Sequence, residues 1–182
     1  MTAVGLNLVS ATFELLDAAI DDELELGRLL AASVAEGWAG FPESLPGLRT
    51  SYANNPRGHE WGTFLFVLDD PRTLVGLGGY KGDPSKEGVV EIGYAIAPAF
   101  RGRGLATAAV QQMVARGFGS RQVRLIDAHT LAHPNASTRV LEKTGFEMIG
   151  ELEDPDDGPI WHWRLRPTDG EPLVGEPGDR RR

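Results

Sequence analysis

The sequence predicts an α+β fold in which a sheet of six to seven strands is flanked by helices. Three observations carry this expectation. Apolar runs of strand composition are joined by tight turns at both ends of the pattern, which reads as hairpins. In the second half, helical stretches lie between strands, as crossover connections require. Hydrophobic residues make up 41% and charged residues 24% of the 182 positions, a composition that builds a core and argues against disorder. That length fits one domain, expected over residues 1–166. Residues 167–182 are rich in Gly, Pro and charge and end in three arginines, so a flexible tail is expected there.

Each element has its own warrant. Residues 6–12 suit a short strand. Residues 17–34 read as one helix, with acids at its start and Leu24, Leu29 and Leu30 near helical spacing. Residues 35–56 carry Gly37, Gly40, Pro42, Pro46 and Gly47 and read as loop with a short helix. Residues 63–68 and 73–80 are strands joined by a turn at Asp69-Asp70-Pro71-Arg72. Residues 89–97 form a strand ended by Pro98, and 105–118 a helix. A strand over 123–131 and a helix over 135–144, stopped by Gly145, follow. Strands over 146–151 and 160–165 flank an acidic loop.

Composition narrows the chemistry. The chain has no cysteine, which excludes disulfides, thiolate metal sites and a cysteine nucleophile. The formal charge is -8, which disfavours general nucleic-acid binding and suits a cationic or amine substrate. No apolar run approaches the roughly 20 residues of a membrane span. Residues 1–10 lack a basic region followed by an apolar run. A soluble, cytoplasmic protein is therefore expected.

The most informative stretch runs from Glu91 to Ala106. A strand enters a short loop with Arg101, Gly102, Arg103 and Gly104, and a helix starts at once with Leu105 and Ala106. A helix start offers unpaired N–H groups and partial positive charge, and glycines let backbone approach an anion. The physics is that of a phosphate cradle, although a solvated turn has the same composition. A P-loop is excluded, since no Gly-Lys pair exists, and Thr107 breaks a dinucleotide fingerprint. A nucleotide-binding protein thus fits poorly.

On the strand, side chains alternate. Val90, Ile92, Tyr94 and Ile96 suit a core face. Glu91, Gly93, Ala95 and Ala97 share the other, nearly bare face. A lone carboxylate beside that space reads either as a solvated residue or as a general base in a cleft, with its pKa raised by partial burial.

These residues resemble a family. Arg101-Gly102-Arg103-Gly104-Leu105-Ala106 is similar to the acyl-CoA motif of the GNAT N-acetyltransferases. The run from Asn135 through Ser137 to Glu142-Lys143-Thr144-Gly145-Phe146 resembles the signature of the ribosomal-protein N-terminal acetyltransferase (RimJ/RimL-type) branch. The resemblance implies the acyl-CoA N-acyltransferase fold: a mixed, mostly antiparallel sheet whose fourth and fifth strands splay apart around acetyl-CoA. It implies that Ala95, Ile96 and Ala97 offer strand-edge backbone to the pantetheine arm. Arg101 to Ala106 would hold the pyrophosphate, with Asn135 near the cofactor. Glu91 takes the position of the base.

The family's usual acid, a Tyr four residues before the helix-ending Gly, is Leu141 here. Ser137 is the candidate acid, or else a residue that stabilises the helix start. Trp38 and Phe41 could line an acceptor pocket or simply pack the loop. His129 and His133 lack a metal-binding context, and His162 reads as an outward polar residue. No metal is expected.

The function that follows is acetyl transfer to an amine acceptor, a protein N-terminus or a small molecule, by direct attack. A non-catalytic acyl-CoA-binding or regulatory module is the alternative. A monomer or homodimer is expected.

Overall fold

The computed structural model describes residues 5–55 and 60–167, so most of the expected tail lies outside the described residues. Strand β1 spans Leu6–Ser10. Thr12 then caps helix α1 (Phe13–Asp21), its side chain accepting from the Leu15 N–H. The single helix expected over 17–34 is instead two, α1 and α2 (Glu23–Leu30). Asp22 makes the break. Its N–H bonds back to the Ala18 carbonyl, and its carboxylate accepts from Glu25 N–H. A short acidic side chain favours such caps over a helix interior. The buried face of α2 is Leu26 and Leu30, while Leu24 is 84% exposed and Leu29 lies at the surface. The spacing of Leu24 and Leu29 therefore pointed to the wrong face.

An added strand, β2 (Ser33–Val34), is too short to announce itself in sequence and pairs in parallel with Thr73 and Leu74. Helix α3 (Leu45–Asn54) follows. Strands β3 (Thr63–Asp69) and β4 (Arg72–Tyr80) form the first hairpin, and β5 spans Val89–Ile96. Helix α4 (Leu105–Gly119), strand β6 (Leu125–Leu131) and helix α5 (Ala136–Lys143) come next. Strands β7 (Glu147–Asp154) and β8 (Gly158–Leu165) close the chain. Much of the expected acidic loop is strand, because Asp154 Oδ1 accepts from the N–H groups of Asp156 and Asp157 and tightens the turn.

The sheet order is β1–β3–β4–β5–β6–β8–β7, with β2 beside β4. Among the described residues, only the β5–β6 and β2–β4 pairs are parallel. One core packs α4 onto the sheet through Val110, Met113, Phe64, Ile92 and Ile126. On the other face, Leu15, Leu26, Leu30 and Trp38 pack on Leu65, Val67 and Leu74. No helix among the described residues is long and apolar enough to cross a membrane.

The feature that positions the site is a fork. Strands β5 and β6 are in register only at Val89–Leu125, Val90–Ile126 and Glu91–Asp127. Beyond Glu91, β5 continues beside β4 to Ile96, while β6 continues beside β8 to Leu131. These are the fourth and fifth strands of the sequence pattern, renumbered by the added β2.

Candidate active site

The fork opens into two adjoining cavities of about 880 and 650 Å³. Tyr94, Ala95, Ser137, Thr130 and Phe41 line both, so they mark the junction. The direction of the β5 backbone follows from two bonds toward β4. Ala97 N–H donates to the Val75 carbonyl, and Lys81 N–H donates to the Glu91 carbonyl, each at 2.8 Å. Backbone groups alternate along an extended strand. The N–H and C=O of Tyr94 and Ile96 therefore turn toward the open side. The Ile96 carbonyl is taken by Arg101 Nε at 3.0 Å.

The smaller cavity ends at the start of α4. Gly102 and Gly104 have φ of 74° and 79°, the left-handed region that side chains disfavour. A Cβ built on either would meet nothing within 4 Å, so the glycines are needed for backbone conformation rather than for space. Gly104 is the N-cap of α4 and supplies no side chain to it, and no acid occupies the first turn. The first N–H groups of α4 thus lack a capping side chain where Leu105, Ala106 and Thr107 line the cavity. The two arginines differ. Arg101 lines this cavity, whereas Arg103 does not; its guanidinium lies over the Phe100 ring and donates to the Ala99 carbonyl.

Asn135 and Ser137 are separated by their hydrogen bonds. Asn135 caps α5, accepting from the N–H groups of Ser137 and Thr138 at 2.8 and 3.0 Å and donating to the His133 carbonyl. Thr138 completes the capping box by accepting from Asn135 N–H. The helix start needs nothing from the Ser137 side chain, whose hydroxyl has no hydrogen-bond partner among the described residues. Leu141 is fully buried in the core. Tyr94 reaches from β5 toward the same helix, its hydroxyl donating to the Ser137 carbonyl at 3.3 Å. Burial pushes the Tyr94 phenol up to about 12, which keeps it a hydrogen-bond donor.

Glu91 lies at the mouth of the fork and lines the larger cavity with Gly93 and Ala95. Ala97 does not join them: it is fully buried in the α1–α3 core. The Glu91 carboxylate pairs with Lys81 and with His129 Nδ1, the latter at 3.0 Å. Burial pushes its pKa up, but Lys81 and His129 outweigh burial and hold it below the ordinary carboxylate range. The raised value expected from the bare strand face is thereby reversed, because sequence did not reveal the two partners.

Phe41 is 67% exposed at the junction of the cavities. Trp38 is placed elsewhere, 4% exposed in the second core and in the lining of neither cavity.

Sequence reasoning missed the largest polar feature. Asp127 accepts two 2.7 Å bonds from Arg164 and one at 2.8 Å from His162. His162 stacks on His129 with centroids 4.7 Å apart. Burial raises the Asp127 carboxyl, and Arg164 and His162 more than offset this and hold it low. The available signal was the alternation Asp127, His129 and His162, Arg164 on two expected strands, which puts polar residues on one face.

Comparisons with known proteins agree with this geometry. The family described as an acetyltransferase (GNAT) domain matches residues 15–147. An uncharacterized N-acetyltransferase, YjdG of Bacillus subtilis, is 28% identical over 143 residues, covering 78% of this chain and 85% of the relative. Among solved structures, Mycobacterium smegmatis RimJ in complex with CoA-disulfide superposes with a TM-score of 0.64 at 20% identity, covering 88% of this chain and 81% of that one. The ribosomal-protein-S5-alanine acetyltransferase of Vibrio fischeri gives 0.64 at 17% identity, covering 92% and 94%. Both structures share the forked sheet's fold. With a family match over most of its length and a sheet that forks after Glu91, the chain belongs to the GNAT family of N-acetyltransferases.

Proposed function

We propose that this chain transfers an acetyl group from acetyl-CoA to a primary amine, on a protein N-terminus or a small molecule, by direct attack in a ternary complex. The observation that carries the reading is the fork itself. It leaves a strand edge at Tyr94 and Ile96 that leads to the uncapped start of α4. A pantetheine arm would lie along that edge at Tyr94 and Ile96, since the backbone groups of Ala95 and Ala97 turn toward β4, with the pyrophosphate at Gly102 to Ala106. A β5 backbone N–H would hold the oxyanion that forms on the thioester oxygen. Glu91 would draw off the proton of the amine, directly or through an intermediary. Ser137 and Tyr94 supply hydroxyls at the junction, where a leaving thiolate would emerge. Glu153, Asp154 and Asp157 line the Glu91 cavity and favour a cationic acceptor.

The test is release of free CoA thiol from acetyl-CoA with a panel of amines: alanine- and serine-starting peptides, spermidine, free amino acids and an aminoglycoside. Turnover with at least one amine is expected. Glu91→Gln should lower kcat about tenfold or more and leave acetyl-CoA affinity intact. Tight acetyl-CoA binding without turnover across the panel would point instead to a non-catalytic acyl-CoA-binding module.

A further inference from the structure

One face of β5, β6 and β8 carries a polar array that the transfer reaction, as proposed above, leaves partly unused. It runs from Lys81 through Glu91 to His129, and from His162 through Asp127 to Arg164. Cross-strand register assembles it. Glu91 faces Asp127, His129 faces His162, and Asp127 faces Arg164. His129 lines the same cavity as Glu91, and its side chain is 23% exposed.

The state of the His129 ring follows from its partner. An ionised carboxylate only accepts hydrogen bonds, so Nδ1, 3.0 Å from Glu91 Oε1, carries the proton. A neutral ring then has its lone pair on Nε2. The stacked His162, itself tied through Nε2 to Asp127, backs one ring face at an interplanar angle of 24°. Within the array each carboxylate has a fixed cation, and the acids Glu153, Asp154 and Asp157 line the same cavity. Lys81 offsets Glu91, and Arg164 offsets Asp127. Asp154, at the end of β7, lines the same cavity as Lys81, Glu91 and His129.

We infer that His129 Nε2 is the first acceptor of the amine proton and that Glu91 is a positioning residue acting through it. This rests on the amine-acetylation reading and names its intermediary. The nitrogen lone pair forms the bond to the thioester carbon, and the C=O π pair moves onto oxygen. The N–H proton passes to His129 Nε2, and the imidazolium is held by Glu91. The oxygen pair then returns, the C–S bond breaks, and CoA leaves as thiolate. The imidazolium gives its proton to water and the thiolate takes one from water, which restores both.

The experiment is a pH–rate series of wild type, His129→Gln, Glu91→Gln and the double variant, with acetyl-CoA and the best amine of the panel. His129→Gln should lower kcat about 10²–10⁴-fold near neutral pH. Glu91→Gln should lower it by about one to two orders of magnitude, and the double variant no further than His129→Gln alone, since the pair acts as a unit. The acidic limb of the wild-type profile should vanish in His129→Gln, with acetyl-CoA affinity by calorimetry changed less than about twofold. A purely structural histidine would lower the whole profile without changing its shape. Imidazole nitrogen NMR of wild type should show the Nδ1–H tautomer at His129, lost in Glu91→Gln. An unchanged His129→Gln profile, multiplicative losses in the double variant, or the Nε2–H tautomer would each overturn the role of His129. No turnover by wild type across the panel would overturn the acetyl-transfer reading and this inference with it.

Discussion

The two ends of the cleft are built from different material. At the α4 end the proposed anion cradle is backbone: two left-handed glycines and helix N–H groups, with one arginine committed to a carbonyl and the other turned onto Phe100. At the β6–β8 end the site is side chain: two carboxylates, two histidines, a lysine and an arginine joined across three strands and the end of β4. The first depends on chain conformation at a few neighbouring residues. The second depends on register between strands far apart in sequence, since Glu91 and His129 are separated by 38 residues and Asp127 and Arg164 by 37. The backbone site should therefore fail through local strain, and the side-chain site through loss of a distant partner.

Arg164→Met tests the second half of that contrast most severely. It leaves the buried Asp127 with His162 alone and should cost about 2 kcal/mol of stability. The sign with pH is definite. The Asp127 pKa is depressed in the fold, so its contribution is present above the ordinary carboxylate value near 3.9 and is lost as pH falls through the lower folded value. Melting curves of wild type and variant should diverge at pH 7 and converge in acid. A gap that persists unchanged to low pH would show that Asp127 is not the group involved.

Gly104→Val tests the first half. A β-branched residue resists φ of 79°, yet its Cβ has open space, so damage should stay in the cradle. Acetyl-CoA affinity should fall well over tenfold, more than about 1.4 kcal/mol, while the fold persists. Equal affinity by calorimetry would remove the backbone cradle from the comparison.

Asn135→Ala and Ser137→Ala sharpen the boundary between the two ends. Asn135→Ala removes a cap and should cost about 1 kcal/mol. Ser137→Ala should change stability by less than about 0.5 kcal/mol, because its hydroxyl caps nothing, and any loss should appear in kcat. Denaturant unfolding of both variants separates the outcomes; a large stability loss at Ser137 would return it to a structural role. The smallest effect concerns Glu153, Asp154 and Asp157. Acceptor KM should rise about two- to fourfold between low salt and 0.5 M, with kcat steady, as screened attraction requires. A flat KM, or preference for acidic acceptors, would show these acids to be merely solvated.

Legibility in the sequence follows the same division. The glycine loop and helix start of the proposed cradle could be read from Arg101 to Ala106 because they are contiguous. Glu91 stood out because its strand neighbours on that face are small. Its partners did not, since Lys81 and His129 come to it only when β4, β5 and β6 align. Trp38 could be read as a pocket residue or as loop packing because an aromatic in a Gly-rich loop has no periodicity to assign it a face; packing against the α1–α3 side decided for the second. The helix break at Asp22 was hidden because the acidic run on either side of it suits a helix start as well as a cap.

The three-residue seam between β5 and β6 has a mechanical consequence. The half-sheets on either side are each sewn by long antiparallel ladders, and few backbone rungs tie one strand stack to the other. A ligand whose amides bond along Tyr94 and Ile96 would extend the ladder by the rungs that the chain omits. Amide hydrogens beside the fork should then exchange more slowly with acetyl-CoA present, and the melting temperature should climb with its concentration as linkage demands. The substrate would act as a temporary strand of the protein that consumes it.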